Sequence, residues 1–147
     1  MTAWRAFLTA HARVTAILED ELKRERSLPL TWYDVLLQLR EAPDQHLRMS
    51  ELAGAVLLSK SGLTRLVDRM CGAGLTDRSA DEDDRRGRWV SLTPAGRTRL
   101  REAAPVHLRG IAEHFTRRIS EEDARTLALT LSDIADAAAS ARSAGAG

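Results

Sequence analysis

The chain has 147 residues, of which 44% are hydrophobic and 29% are charged, a composition typical of a folded globular protein and not of a disordered segment. The 22 basic and 21 acidic residues nearly cancel, so the net charge of +1 excludes no class of partner. Only Lys23 and Lys60 are lysines, so nearly all basic residues are arginines, which suit phosphate and base recognition. A genomic composition bias explains this excess more simply.

Three further observations exclude whole classes of protein. No run of about 18 apolar residues is present, which excludes a membrane-spanning helix. The start, Met1 to Leu8, lacks a basic segment followed by an apolar run, so no secretory signal is predicted. The single Cys71 excludes an intramolecular disulfide and a cysteine-based structural zinc site. We therefore expect a protein of the reducing cytoplasm.

Residues 3–26 are predicted to form a long amphipathic helix whose apolar stripe is wide enough to need a partner. The stripe consists of Trp4, Phe7, Leu8, His11, Thr15, Leu18 and Leu22. Pro29 breaks the pattern because a proline disfavours helical geometry in the residue before it. Thr31 and Asp34 resemble a capping box and predict a helix over 32–41.

After a very short predicted strand at 47–49, residues 51–57 and 60–72 are predicted to form a helix-turn-helix. Ser50 and Ser59 are the predicted N-caps, and glycines 72 and 74 end the second helix. The inward positions of this second helix are Leu63, Leu66, Val67 and Met70. Its opposite side carries Lys60, Ser61, Thr64, Arg65 and Arg69.

Residues 75–79 and 89–92 are predicted to be two strands joined by a charged connection, with Val90 and Leu92 sharing one face of the second strand. The connection is longer than the two to five residues typical of hairpins, and long loops are more often functional, so 80–88 is a candidate wing. Asp84 is close enough in sequence to brace Arg86, and an arginine at a hairpin tip suits the narrow minor groove. The acidic residues Asp81, Glu82 and Asp83 would repel the phosphates of DNA, so we expect their side chains to face solvent and not the DNA.

Two helices are predicted beyond the wing. Thr93 and Pro94 form a strong helix start, and this helix is expected to run to about Arg118, with Pro105 kinking or splitting it. Ser120 is predicted to cap a last helix. The apolar face of that helix consists of Ala124, Leu127, Ala128, Leu131, Ile134, Ala135 and Ala138.

The order of these elements predicts a mainly helical winged helix-turn-helix with a small β-hairpin wing. On its second helix, small side chains permit close approach to the major groove, and Arg65 has the geometry to pair bidentately with guanine. The alternative for this polar face is an ordinary solvated surface. The alternative function is a protein-interaction module that does not bind DNA, and the acid-rich wing favours that function. An enzyme is not predicted, because no nucleophile elbow, P-loop or dinucleotide fingerprint is present.

The segment "SGLTRLVDRM" followed by "GL", with the later "DDRRGRWVSLTPAG", resembles the MarR family of bacterial transcription regulators. The resemblance implies a homodimer that binds a pseudo-palindromic operator, with 31–104 as the DNA-binding lobe and 1–30 and 105–147 as dimerisation helices. The candidate DNA-binding residues are Ser59, Lys60, Ser61, Thr64, Arg65 and Arg69 on the recognition helix, and Asp84, Arg85, Arg86 and Arg88 on the wing. Of these, the resemblance implies DNA contacts for Ser61, Thr64, Arg65, Arg85 and Arg86, with Asp84 as the brace of Arg86. The implied dimer interface includes Trp4, Phe7, Leu8, Leu127, Leu131 and Ile134.

The family also implies a repressor that is released by a small phenolic or aromatic ligand. The candidate pocket residues are His11, Trp32, Tyr33 and Phe115, although each is more simply a core or interface residue. An oxidant sensor is not expected, since the family's peroxide sensors carry their cysteine in the first helix. His107 and His114 lie two turns apart, too far for two ligands of one ion without others. We therefore predict neither a metal site nor a cofactor.

Overall fold

The computed structural model describes residues 2–57, 62–80 and 88–144. Within them the elements are α1 (Ala3–Arg26), α2 (Leu30–Glu41), β1 (His46–Arg48), α3 (Met49–Ala55), α4 (Leu63–Gly72), β2 (Thr76–Ala80), β3 (Arg88–Leu92), α5 (Pro94–His114) and α6 (Glu121–Ala144). The predicted fold class is confirmed: the chain is mainly helical, with a small antiparallel sheet whose strand β1 precedes the helix-turn-helix and whose strands β2 and β3 follow it.

The chain divides into two compact units, Met1–Arg109 and Gly110–Gly147. The first unit contains the three-stranded sheet, in which β3 lies between β1 and β2 and is antiparallel to both. Its largest fully buried apolar side chains are Leu22, Leu28, Val35, Leu36, Leu39, Leu52, Val56, Val67, Met70 and Val90. The division of the chain into dimerisation segments and a DNA-binding lobe stays a prediction.

The first helix has the predicted bounds, and the break before α2 lies at the predicted proline. Ser27 ends α1 in the left-handed region, with a φ of 49°, and its N–H donates to the Lys23 carbonyl. The predicted capping box is wrong: α2 begins at Leu30 after Pro29, and no side chain of this junction caps it. Instead the Glu19 carboxylate on α1 accepts a hydrogen bond from the Leu30 N–H at 2.5 Å.

Both helices of the helix-turn-helix are present, but their predicted starts are wrong. Ser50 is not an N-cap, because α3 already begins at Met49, where the Arg48 N–H donates to the Glu51 carboxylate at 2.7 Å. The second helix, α4, begins at Leu63 and not at residue 60, since Gly62 has a φ of 72° that no helical residue adopts. The predicted cap Ser59 lies outside the described residues.

The wing strands agree with the prediction to within one residue, and Val90 and Leu92, which are predicted to share one face, are both buried. Thr93 caps α5, because its hydroxyl accepts a hydrogen bond from the Gly96 N–H at 2.9 Å. Pro105 does not split α5, which is one continuous helix from Pro94. A proline removes one backbone hydrogen bond, and the exposed position of this one limits the damage to packing. The helix ends at His114, before the predicted Arg118.

The second unit contains the long helix α6. Its predicted cap is confirmed, since the Asp123 N–H donates to the Ser120 hydroxyl at 3.0 Å and that hydroxyl donates to the Asp123 carboxylate at 2.7 Å. None of the α6 residues, all of which the structure describes, is buried, and Leu129 and Ile134 are exposed by 68% and 60%. No helix among the described residues is long and apolar enough to span a membrane.

Candidate nucleic-acid interface

Helix α4 has one buried face and one exposed face. Leu63, Leu66, Val67 and Met70 are buried against the first unit's core. The exposed face carries Thr64, Arg65, Asp68 and Arg69. The predicted separation of apolar and polar positions on this helix is therefore confirmed, and three of the predicted DNA-contacting side chains share the exposed face.

An open groove runs beside the start of this face. It has a volume of about 640 Å³. Its lining consists of Met49, Ser50 and Ala53 from α3, and Gly62, Leu63, Thr64 and Arg65 from the start of α4. Ser50 and Thr64 thus line the same groove as Arg65, and residues of these types offer hydroxyl and cationic donors suited to phosphate and base oxygens.

Six of the residues predicted to form the DNA interface lie outside the part of the chain that the structure describes. They are Ser59, Lys60, Ser61, Asp84, Arg85 and Arg86. Of the predicted wing residues, Arg88 is described: it is exposed at the first position of β3, where it pairs with Ala80 at the end of β2. The brace between Asp84 and Arg86 stays a prediction.

The root of the wing is fixed by an aromatic cluster that the sequence analysis did not find. Trp89 on β3 lies opposite Arg48 on β1, and the guanidinium carbon of Arg48 is 5.1 Å from the centroid of the indole ring. The His46 ring meets the same indole edge-on, with centroids 4.6 Å apart and an angle of 77°. Cation–π and edge-to-face contacts of this kind hold β3 against β1.

Asp34 on α2 is a buried carboxylate that accepts a backbone hydrogen bond from the helix-turn-helix. It is only 6% exposed, and its Oδ2 accepts a hydrogen bond from the Leu57 N–H at 3.0 Å. Its Oδ1 accepts from the Gln38 side chain at 3.4 Å. Because Leu57 lies two residues after the end of α3, this hydrogen bond connects the C-terminal end of α3 to α2. The sequence indicates this role of Asp34 only by the position of an acidic residue among the apolar residues of α2.

We expect Asp34→Ala to lower the free energy of unfolding by about 1–3 kcal/mol, because the Leu57 N–H loses a buried acceptor. Asp34→Asn retains an acceptor oxygen at this position, and we expect a smaller loss. Urea unfolding followed by circular dichroism measures both. Equal stabilities of the alanine variant and the parent protein would contradict this role.

The candidate ligand residues of the first unit differ in burial. His11 is exposed on α1, with its ring centroid 6.2 Å from that of Phe7. Trp32 is half-buried, and Tyr33 is buried with its ring centroid 4.4 Å from that of His107. Burial raises the pKa of Tyr33, with a further contribution from the charge of Glu41. Phe115 belongs to the second unit and is 40% exposed.

Burial also lowers the pKa of the His107 imidazole, an effect that the nearby Asp34 carboxylate opposes. The Tyr33 phenol and the His107 imidazole are therefore both neutral near pH 7, and their rings, inclined at 42° to each other, form an uncharged aromatic contact.

The residues predicted for the dimer interface leave much apolar surface in contact with solvent. On α1, Trp4 is 67% exposed, Phe7 43% and Leu8 39%. On α6, Leu127 is 37% exposed and Ile134 60%, while Leu131 is half-buried. The rings of Trp4 and Phe7 contact each other, with centroids 6.1 Å apart. On each of these two helices, exposed large apolar side chains of this kind are typical of an interaction surface.

Comparisons with known proteins agree with this geometry. A family model described as MarR family matches residues 26–87. AbsC, a MarR family transcriptional regulator from Streptomyces coelicolor, is 35% identical with a TM-score of 0.85, over 94% of this chain and 93% of that chain. Sco3205, a second MarR family regulator from that organism, was solved in complex with DNA. It is 29% identical with a TM-score of 0.85, over 93% of this chain and 89% of that chain.

The Bacillus subtilis HTH-type transcriptional repressor YetL is 29% identical over 90 residues, which are 61% of this chain and 54% of YetL. The similarity to AbsC extends over almost the full length of both chains, at a level of identity that shows common family membership. The chain therefore belongs to the MarR family of transcription regulators, which are not enzymes.

Proposed function

We propose that this chain is a homodimeric repressor of the cytoplasm that binds a pseudo-palindromic DNA operator through α4 and the wing. The observation that carries the proposal is the exposed face of α4, where Thr64 and Arg65 border an open groove. The similarity to Sco3205, a relative solved in complex with DNA, supports DNA binding by this chain.

The chemistry of α4 supports reading of the major groove. Thr64 is short, so the helix backbone can approach the base edges closely, and its hydroxyl can bond a phosphate or a base. The Arg65 guanidinium fits the O6 and N7 atoms of guanine bidentately. In a two-fold symmetric dimer, two such helices would enter major grooves about 10 base pairs apart, which is why we expect a pseudo-palindromic site.

The exposed apolar side chains on α1 and α6 support a homodimer. Monomeric proteins rarely leave several large apolar side chains together in water, and a second copy of the chain offers the same surfaces in return. We propose that Trp4, Phe7, Leu8, Leu127, Leu131 and Ile134 lie in this interface.

We also propose how DNA binding by this chain is used and regulated. The name of YetL, a repressor, supports repression over activation. We further propose that a small aromatic acid or phenol releases the protein from DNA, with His11, Trp32, Tyr33 and Phe115 as the residues that bind it. The aromatic side chains of Trp32, Tyr33 and Phe115 support an aromatic ligand, because aromatic rings favour contact with one another.

A mobility-shift titration with the duplex from immediately upstream of the chain's own gene tests the proposal. We expect binding that weakens by orders of magnitude between about 50 and 200 mM salt, as about 6–10 phosphate contacts require. Addition of salicylate as the probe is expected to release the duplex. Salt-insensitive or absent binding, together with capture of a stable protein complex by the tagged chain, would favour a protein-interaction module instead.

A further inference from the structure

We propose that Arg78 is a positioning residue for DNA binding, which fixes the wing relative to the recognition helix α4. This inference rests on the proposed function. Arg78 is absent from the DNA contacts that the sequence predicts, and its side chain contacts Asp68 and Met49.

Arg78 lies in the middle of β2, the strand that leads into the wing. It pairs with Val90 on β3, and directly paired residues of an antiparallel sheet share one face. Val90 is fully buried, so the Arg78 side chain extends toward the interior of the first unit, and only 20% of it is exposed. Its neighbours Asp77 and Ser79 are exposed on the other face.

The guanidinium of Arg78 contacts two helices at once. Its Nη1 lies 2.8 Å from Oδ1 of Asp68 on α4, and its Nη2 lies 3.8 Å from the sulfur of Met49 at the start of α3. Since the guanidinium is planar and rigid, these two contacts set the distance of β2 from both helices. Met49 and Asp68 thus connect Arg78 to both helices of the helix-turn-helix.

Stability alone explains this arginine poorly. Asp68 is 56% exposed, and ion pairs with a solvated partner contribute little to folding. The Arg78 Nε is buried with no hydrogen-bond partner among the described residues, which opposes folding. An apolar side chain of similar length would fill the space without that penalty. What an apolar side chain would not provide is the directional contact with α4.

The consequence for DNA binding follows from where β2 ends. Two residues after Arg78, at Ala80, the strand passes into the segment 81–87 that joins it to β3. A contact that fixes β2 against α4 therefore fixes the root of the wing relative to Thr64 and Arg65. The wing and the recognition helix then meet the DNA in a set relative position, so less conformational entropy is lost on binding.

A double-mutant cycle between Arg78→Met and Arg86→Ala tests the proposal. The probe is a duplex selected by the parent protein from a random pool, and affinity is measured by fluorescence anisotropy. We expect Arg78→Met to weaken binding about tenfold in the parent protein but less than about twofold in the Arg86→Ala background, because the contact that depends most on the position of the wing, that of Arg86 in the minor groove, is then already lost. Asp77→Asn, on the same strand but the opposite face, is the matched control and should bind normally.

Circular dichroism and thermal unfolding establish that each variant is folded. If Arg78→Met does not fold, Arg78→Lys, which keeps the positive charge, replaces it in the cycle. An equal loss of affinity in both backgrounds, or no loss in either, would overturn the positioning role. Failure of the parent protein to select any duplex would instead contradict the proposed function itself.

Discussion

Replacement of Arg65 by alanine is expected to weaken operator binding by at least about 30-fold, because each bidentate contact with guanine is worth about 1–3 kcal/mol and a dimer makes it twice. Arg65 is exposed on α4 and borders the groove between the two helices of the helix-turn-helix. Its replacement removes no buried contact, so the free energy of unfolding should change by less than about 0.5 kcal/mol. Anisotropy titrations and urea unfolding measure the two quantities.

Arg65→Lys separates the charge of this side chain from its shape. Lysine keeps the positive charge but lacks the planar fork, so we expect intermediate affinity and a relaxed preference at one base pair of each half-site. The salt dependence should stay unchanged in both variants, since a base contact neutralises no phosphate. Affinity of the alanine variant within twofold of the parent protein would remove Arg65 from the interface. A reduced salt slope would instead assign it to a phosphate.

The order and type of the elements could be predicted because their signals are local. The stripe of α1, the proline after it, the cap at Thr93 and the alternation around Val90 each depend on residues close in sequence. The exposed face of α4 is predictable for the same reason, since Thr64, Arg65 and Arg69 follow from helical periodicity alone.

The residues that organise the site could not be predicted, because their partners are distant in sequence. Asp34 has the spacing of a capping residue, yet it bonds the Leu57 N–H 23 positions away. Glu19 satisfies the Leu30 N–H from the preceding helix. Arg78 has the sequence surroundings of any polar strand residue, and only the packing of β2 under α4 reveals its ion pair with Asp68.

The start of α4 was mispredicted for a different reason. Ser59 is a good cap by residue type, and the predicted helix 60–72 includes Gly62, three residues later. The positive φ of Gly62 outweighs those preferences, because a residue in the left-handed region cannot continue a right-handed helix. The described helix is therefore shorter, and Thr64 lies in its first turn, where side chains reach base edges in helix-turn-helix proteins.

Ile134→Glu is expected to dissociate the dimer and to lower operator affinity by more than about 100-fold, since a monomer contacts only one half-site. Ile134 is 60% exposed on α6, in the stripe that also contains Leu127 and Leu131. A dimer would bury the new carboxylate twice in an apolar interface, at several kcal/mol per charge. Light scattering after gel filtration measures the mass, and the titrations described for Arg65 measure affinity.

Ser132→Glu is the matched control, because it adds the same charge to α6 two residues away, about 200° around the helix. It should remain dimeric and bind the operator normally, while Ile134→Glu should be monomeric yet helical by circular dichroism. A parent protein that is monomeric at micromolar concentration, or an Ile134→Glu variant that keeps both its mass and its affinity, would contradict an interface through α6. Without that interface two recognition helices would no longer be held about 10 base pairs apart, and Arg65 would read at most one half-site.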